Sequence, residues 1–229
     1  MKIYSVLIGL LLSYNSFAQV EESRLGAWYM YFYNVNLNES AWGIQGDCQY
    51  RNWNTIGDLE QLLLRSGATY TPKNTTAIFS IGYANITTGT PSEGHKTFGE
   101  NRIYQEALIP QKIAKHFFLT HHFRYEQRWV ENQDFRTRLR HNLFLNITLN
   151  STELKKGVFY AALYNELFMN GERSNGVSDL ESFDRNRTYF GLGYALSSSS
   201  RIQLGWMHQE TNNWTKGQLQ FSLHQNVNF

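Results

Sequence analysis

The residues with most chemistry in this chain are arginines and carboxylates set at every second position. His122, Arg124, Glu126 and Arg128 alternate in one stretch, and Arg136, Arg138 and Arg140 in the next. A spacing of two puts side chains on one face of a strand. The positions between are apolar: Phe123, Tyr125 and Trp129 in the first stretch, Leu139, Leu143, Leu145 and Ile147 in the second. Asp47, Gln49 and Arg51 repeat the pattern against Ile44 and Tyr50, as do Arg185, Arg187 and Tyr189 against Phe190 and Leu192. Arg201, Gln203 and Gln209 oppose Ile202, Leu204 and Trp206; Arg102 shares a face with Glu106, and Tyr164 with Glu166.

A charged face of this kind can do two things. Ten arginines against four carboxylates would form a basic lining that favours anions, because low-dielectric walls concentrate the field. The same arginines could instead pair with Asp47, Glu106, Glu126 and Glu166 and fill the interior with ion pairs. Both readings stand at this point. Catalysis has less to support it. His121 and His122 are adjacent and point to opposite faces, while His141, His208 and His224 fall in separate segments without metal-ligand spacing. Ser197 to Ser200 reads as a turn. Gly191-Leu192-Gly193 resembles part of a dinucleotide fingerprint but has no helix after it. No enzyme, cofactor or metal is expected.

Period-two segments of about ten residues must carry these faces. They fall near 25–33, 41–51, 58–70, 76–86, 102–111, 116–129, 135–149, 158–169, 183–196, 201–211 and 217–229. Glu60 and Arg65 have opposite parity around Leu62-Leu63-Leu64, which predicts a bulge. Pro110 predicts a strand end or a bulge. Short connections (71–74, 112–115, 197–200) alternate with longer ones (87–101, 170–182), as in barrels with short turns at one end.

A charge on the lipid face of a membrane barrel costs about 2–4 kcal/mol at mid-membrane. Three alternating arginines therefore demand a lumen, and the leucines between them a lipid face. The last segment agrees: Leu219, Phe221, Leu223, Val227 and Phe229 alternate with polar residues, and Phe221, Leu223, Val227 and Phe229 read as a membrane-insertion signal. At the other end, Lys2, the apolar run Val6 to Leu12 and Ser16-Phe17-Ala18 read as a signal peptide over residues 1–18, leaving a barrel domain at 19–229. Mean hydropathy is −0.47, which a barrel tolerates because only alternate residues are apolar. Aromatic residues make up 15% of the chain, enough to supply girdles at two interfaces. The single Cys48 excludes an internal disulfide, and a net charge of +2 gives no footing for nucleic acid.

Several stretches resemble an uncharacterised family of Bacteroidota outer-membrane barrels known only as a domain of unknown function. They include Leu25-Gly26-Ala27-Trp28-Tyr29, Gln49-Tyr50-Arg51-Asn52-Trp53, Tyr125-Glu126-Gln127-Arg128, Asp134-Phe135-Arg136-Thr137-Arg138 and Phe183-Asp184-Arg185-Asn186-Arg187. The resemblance implies a barrel in the bacterial outer membrane and supplies no activity, substrate or catalytic residue.

The expected fold is all-β, an antiparallel up-and-down transmembrane barrel. Eleven segments are visible, but single-chain bacterial barrels have even counts. Twelve strands are therefore expected, with ten as the alternative. The expected function is a narrow pore for small or anionic solutes, or else an occluded structural or surface-interaction barrel; a rim lipid hydrolase is a remote third. Expected partners are outer-membrane lipid, the outer-membrane assembly machinery acting on the last strand, and small anionic solutes, with the chain a monomer. The chief rival is a secreted lipocalin-like barrel, in which the apolar residues would face in and the arginines out.

Overall fold

The structure, a computed structural model, describes residues 24–37, 40–91, 96–173 and 181–229. The proposed signal peptide, and the possible extra strand before residue 24, lie outside the described residues. Eleven strands follow in chain order: β1 Gly26–Asn36, β2 Trp42–Asn52, β3 Leu59–Tyr70, β4 Ile78–Gly89, β5 Thr97–Lys112 and β6 Phe117–Val130. They continue with β7 Arg136–Thr148, β8 Phe159–Arg173, β9 Phe183–Ala195, β10 Ser200–Glu210 and β11 Thr215–Asn228. Each pairs with its neighbours in sequence, and β1 pairs with β11 to close a barrel.

The expected twelve strands, and the alternative of ten, are corrected to a closed barrel of eleven among the described residues. All the visible segments lie in the wall. An odd count makes the first and last strands run the same way, so the closing pair is parallel, from Gly26↔Gln218 to Asn36↔Asn228, and the sheet is mixed rather than wholly antiparallel. This ladder occupies the edges of both strands, so no further strand fits between them.

The period-two pattern fixes which face each residue takes, and the inside is charged. Glu126 is 1% exposed, whereas Leu192 is 64% and Leu204 60% exposed on the outer wall. Phe123 and Leu139 also point outward. This is the reverse of a lipocalin-like barrel. Aromatic pairs sit on the outside near both rims. Trp42–Tyr70 and Phe159–Tyr194, with ring centroids 4.9 and 4.6 Å apart, lie at the end that holds Phe229, here the carboxyl end. Trp129–Phe135, at 5.2 Å, lies at the opposite, amino end, where β1 begins.

Three register slips adjust the wall, one of them between Arg136 and Arg138, where Arg138 pairs with Asn170 and Arg136 with Arg173. The β2–β3 register slips between Arg51 and Asn52, so Glu60 is the extra residue, as the conflicting parity of Glu60 and Arg65 requires. The β8–β9 register slips at Phe168/Met169, which makes Asp184 extra and lets both Asp184 and Arg185 reach inward. Pro110 lies in β5 two residues past its last β4 pair, Ile78↔Leu108, where a missing N–H breaks no β4 ladder bond.

The connections do not sort by length. β4 runs to Gly89 and β5 starts at Thr97, which takes up much of the stretch 87–101, and β8 runs to Arg173 within the stretch 170–182. The longest connection, 149–158, lies at the carboxyl end, the end expected to hold only short turns. Its polar residues fold locally: Asn150 accepts from the Phe159 N–H and donates to the Gly157 carbonyl.

Tyrosines lie flat on the inner wall where glycines leave room. A Cβ on Gly193 would come 2.2 Å from the Tyr160 ring, and one on Gly191 2.2 Å from the Tyr189 hydroxyl. This is the role of the Gly191-Leu192-Gly193 fragment. Trp28, Tyr160, Ala162, Tyr189 and Met207 form a buried cluster on that wall; Leu63, Ala84, Ile86 and Tyr104 form a second one.

Candidate functional site

The fifteen charged positions expected to line the lumen all take the inner face, and most join one network at the amino-end half. Glu126 is its centre. Arg138 and Arg140 donate to its two oxygens at 2.6 and 2.7 Å, and Arg102 and Arg124 stand 3.7 and 3.8 Å away. The alternation that brings them together is visible in the cross-strand pairs Glu126↔Arg138 and Arg124↔Arg140. Glu100 takes Arg102 at 2.7 Å and Arg128 at 2.5 Å. Asp184 takes Arg138 at 2.9 Å and Arg185 at 3.1 Å. Glu166 pairs with Arg140 and lies 3.5 Å from Arg187.

A buried ring completes this layer. Phe168, 1% exposed, has the guanidiniums of Arg138, Arg140 and Arg187 within 4.9 Å of its centroid and that of Arg185 at 5.8 Å. The π-face attracts the cations that the carboxylates do not fully neutralise. Beside it, Arg51 stacks on Trp28 at 3.8 Å, and the Trp28 indole N–H donates to Glu60 at 2.8 Å. A void of about 40 Å³ within this half is bordered by Arg102, Arg128, Arg138 and Arg185. That is close to the ~30 Å³ share of one water molecule.

The carboxyl-end half is open. A basin of about 370 Å³ stops at Arg51, Arg140, Glu166 and Arg187 on its inner side and reaches Asn34, Asn146 and Arg201 near the strand ends. Glu106 holds Arg124 at 2.6 Å and His122 at 2.8 Å on its wall, and Asp47 holds Arg65 at 2.8 Å. The Arg201 side chain makes no hydrogen bond or ion pair among the described residues. Arg136 sits at the other rim, across from Arg128.

Ser222 and His224 form a hydrogen-bonded pair in the basin, Oγ to Nε2 at 2.9 Å. His224 stacks on Phe32 at 4.8 Å and faces Arg201 across the ladder. Among the described residues no carboxylate bonds its ring, so the orienting third member of a nucleophilic triad is missing from this pair.

Reading the residues alone misses part of the network. Arg65, Glu60, Glu100, Asp184, Phe168 and Trp28 all belong to it. Glu100 and Phe168 were accessible, since they share parity with Arg102 and Glu166. The bulge at Glu60 is signalled by its parity conflict with Arg65, although the inward reach of Glu60 is not, and the bulge that brings Asp184 in leaves no marker of its own. With them, eleven inward arginines meet seven carboxylates among the described residues, rather than ten meeting four.

A family model described as a protein of unknown function, DUF2490, matches residues 25–220. An uncharacterised protein of Methylorubrum extorquens is 26% identical over 190 residues, covering 79% of each chain. No solved structure matches.

Proposed function

The chain belongs to the DUF2490 family of proteins of unknown function, and from that premise we propose that it is an outer-membrane β-barrel whose lumen is closed by ion pairs rather than open as a pore. One observation carries the reading: the inversion of polarity across the wall. Glu126 and its arginines are buried while Leu192, Leu204, Ile81 and Phe190 stand outside, each more than half exposed. A soluble monomer rarely exposes an apolar surface that is continuous around the molecule. Lipid would cover it, and the aromatic pairs near both rims fit the two interfaces. Strands of 11 to 16 residues exceed the ~9–11 a tilted strand needs to cross the hydrocarbon core.

Closure is supported by pairing. An open anion pore needs arginines that face water; here Arg102, Arg128, Arg138, Arg140, Arg185 and Arg187 contact Glu100, Glu126, Asp184 or the Phe168 ring. On this reading the charges set the interior shape, since buried ion pairs are close to neutral in net stability. β11, with Phe221, Leu223, Val227 and Phe229 on the outer face, is the strand the assembly machinery would engage, and the protein acts as a monomer.

The test is refolding. Full-length protein diluted from urea is expected to fold only with detergent micelles or lipid vesicles, and then to migrate faster unheated than boiled on a denaturing gel. A folded monomer in plain buffer would overturn the membrane assignment.

A further inference from the structure

We propose that the basin at the carboxyl end is a binding site for a small anion with a flat apolar body, such as an aryl carboxylate or sulfonate. This rests on the reading of a lumen closed at the amino end, which makes the basin a blind pocket. The basin has two unlike sides. On one, Tyr164 stacks on Tyr189 at 4.8 Å and meets the edge of Phe144 at 5.6 Å, with Trp28 beside them. On the other lie Arg65, Arg124 and Arg140 with their carboxylates. A ligand that fills it needs an apolar face for the first side and a charge for the second.

The sign of that charge follows from the count. Six arginines border the basin against three carboxylates. The Arg201 side chain, at the mouth, has no hydrogen-bond or ion-pair partner among the described residues. Anionic ligands would take up this surplus. The volume of about 370 Å³ falls in the ~300–1,000 Å³ range of small-molecule sites. Entry is from the strand-end opening, because continuous ladders from β1 round to β11 leave no lateral gap through which a bilayer lipid could pass.

The experiment is equilibrium dialysis of 2-naphthoate against the full-length protein in amphipol, with 2-naphthylmethanol and inorganic phosphate as the uncharged and the non-aromatic probes. Saturable binding of naphthoate is expected, with neither other probe matching it. Arg201→Gln should weaken it about tenfold or more, the loss of one charge-assisted contact. Phe144→Ala should weaken it as well. Lys155→Gln, on the exposed connection outside the basin, should leave it unchanged. Equal binding of phosphate or of naphthylmethanol overturns the proposal, as does no saturable binding by protein that keeps its unheated gel mobility. Bilayer conductance of the same preparation separates the two readings. A closed barrel without binding removes only the ligand; an open one removes the closed lumen on which the ligand rests.

Discussion

Glu126 is the residue on which the inner network turns, because it is 1% exposed and shared by Arg138 and Arg140 at hydrogen-bond distance. Removing one partner from a buried charge network costs about 3–5 kcal/mol, since the others are left unpaired in a poorly solvated space. Glu126→Ala is expected to lose that much, read as the urea midpoint of vesicle-inserted protein on unheated gels. Lys155→Ala breaks only the exposed Lys155–Glu153 pair, 64% and 67% exposed, and should stay within about 0.5 kcal/mol of the parent. An equal effect of the two would remove Glu126 from the centre of the network. At this scale the sequence is a good guide to direction and a poor guide to partner. Arg138 and Glu126 are twelve residues apart, and their parity is plain. Their contact depends on a cross-strand register that the turn at 131–135 sets.

The strands were legible because alternation of charge and leucine leaves no other element available. Their ends were less so. Polar residues such as Thr87 and Asn101 read as loop, yet they pair in β4 and β5 on the outer face near the amino rim, where Tyr83 and Asn85 both donate to the Asn101 side chain. The bulge at Glu60 was visible as a parity conflict, but the one at Asp184 was not, because Phe183 and Asp184 look like an ordinary strand start. Tight wall packing gives the test here. A Cβ on Gly205 would come 2.4 Å from the Phe190 carbonyl oxygen and 2.5 Å from the Gly191 Cα, both backbone atoms that yield little. Gly205→Ala is expected to cost about 1–3 kcal/mol in the same urea titration. An unchanged midpoint would show that β9 and β10 are not held at this spacing.

Over the whole molecule, the strand count is where a sound general expectation failed. Even numbers allow antiparallel closure throughout, but eleven paired segments with both outer edges satisfied need only accept one parallel seam. The seam can be tested by cross-linking. Tyr31 and Leu223 are paired across it on the outer face, and Cys48 lies opposite Tyr31 on the other side. In a Cys48→Ser background, Tyr31→Cys with Leu223→Cys should oxidise to a disulfide in the folded barrel, since neighbouring strands stand about 4.8 Å apart and a bridge spans Cα separations of about 4.4–6.8 Å. A strand between them would double the distance and prevent it.

On the proposed reading the barrel conducts nothing, because Arg102, Arg128, Arg138, Arg140, Arg185 and Arg187 in its amino-end half are held by carboxylates and by Phe168. Single-insertion conductance in a planar bilayer tests it most directly. Folded wild-type protein is expected to insert without a steady ohmic current. A stable, anion-selective conductance that Arg138→Glu or Arg140→Glu weakens would contradict the closed lumen and restore the pore.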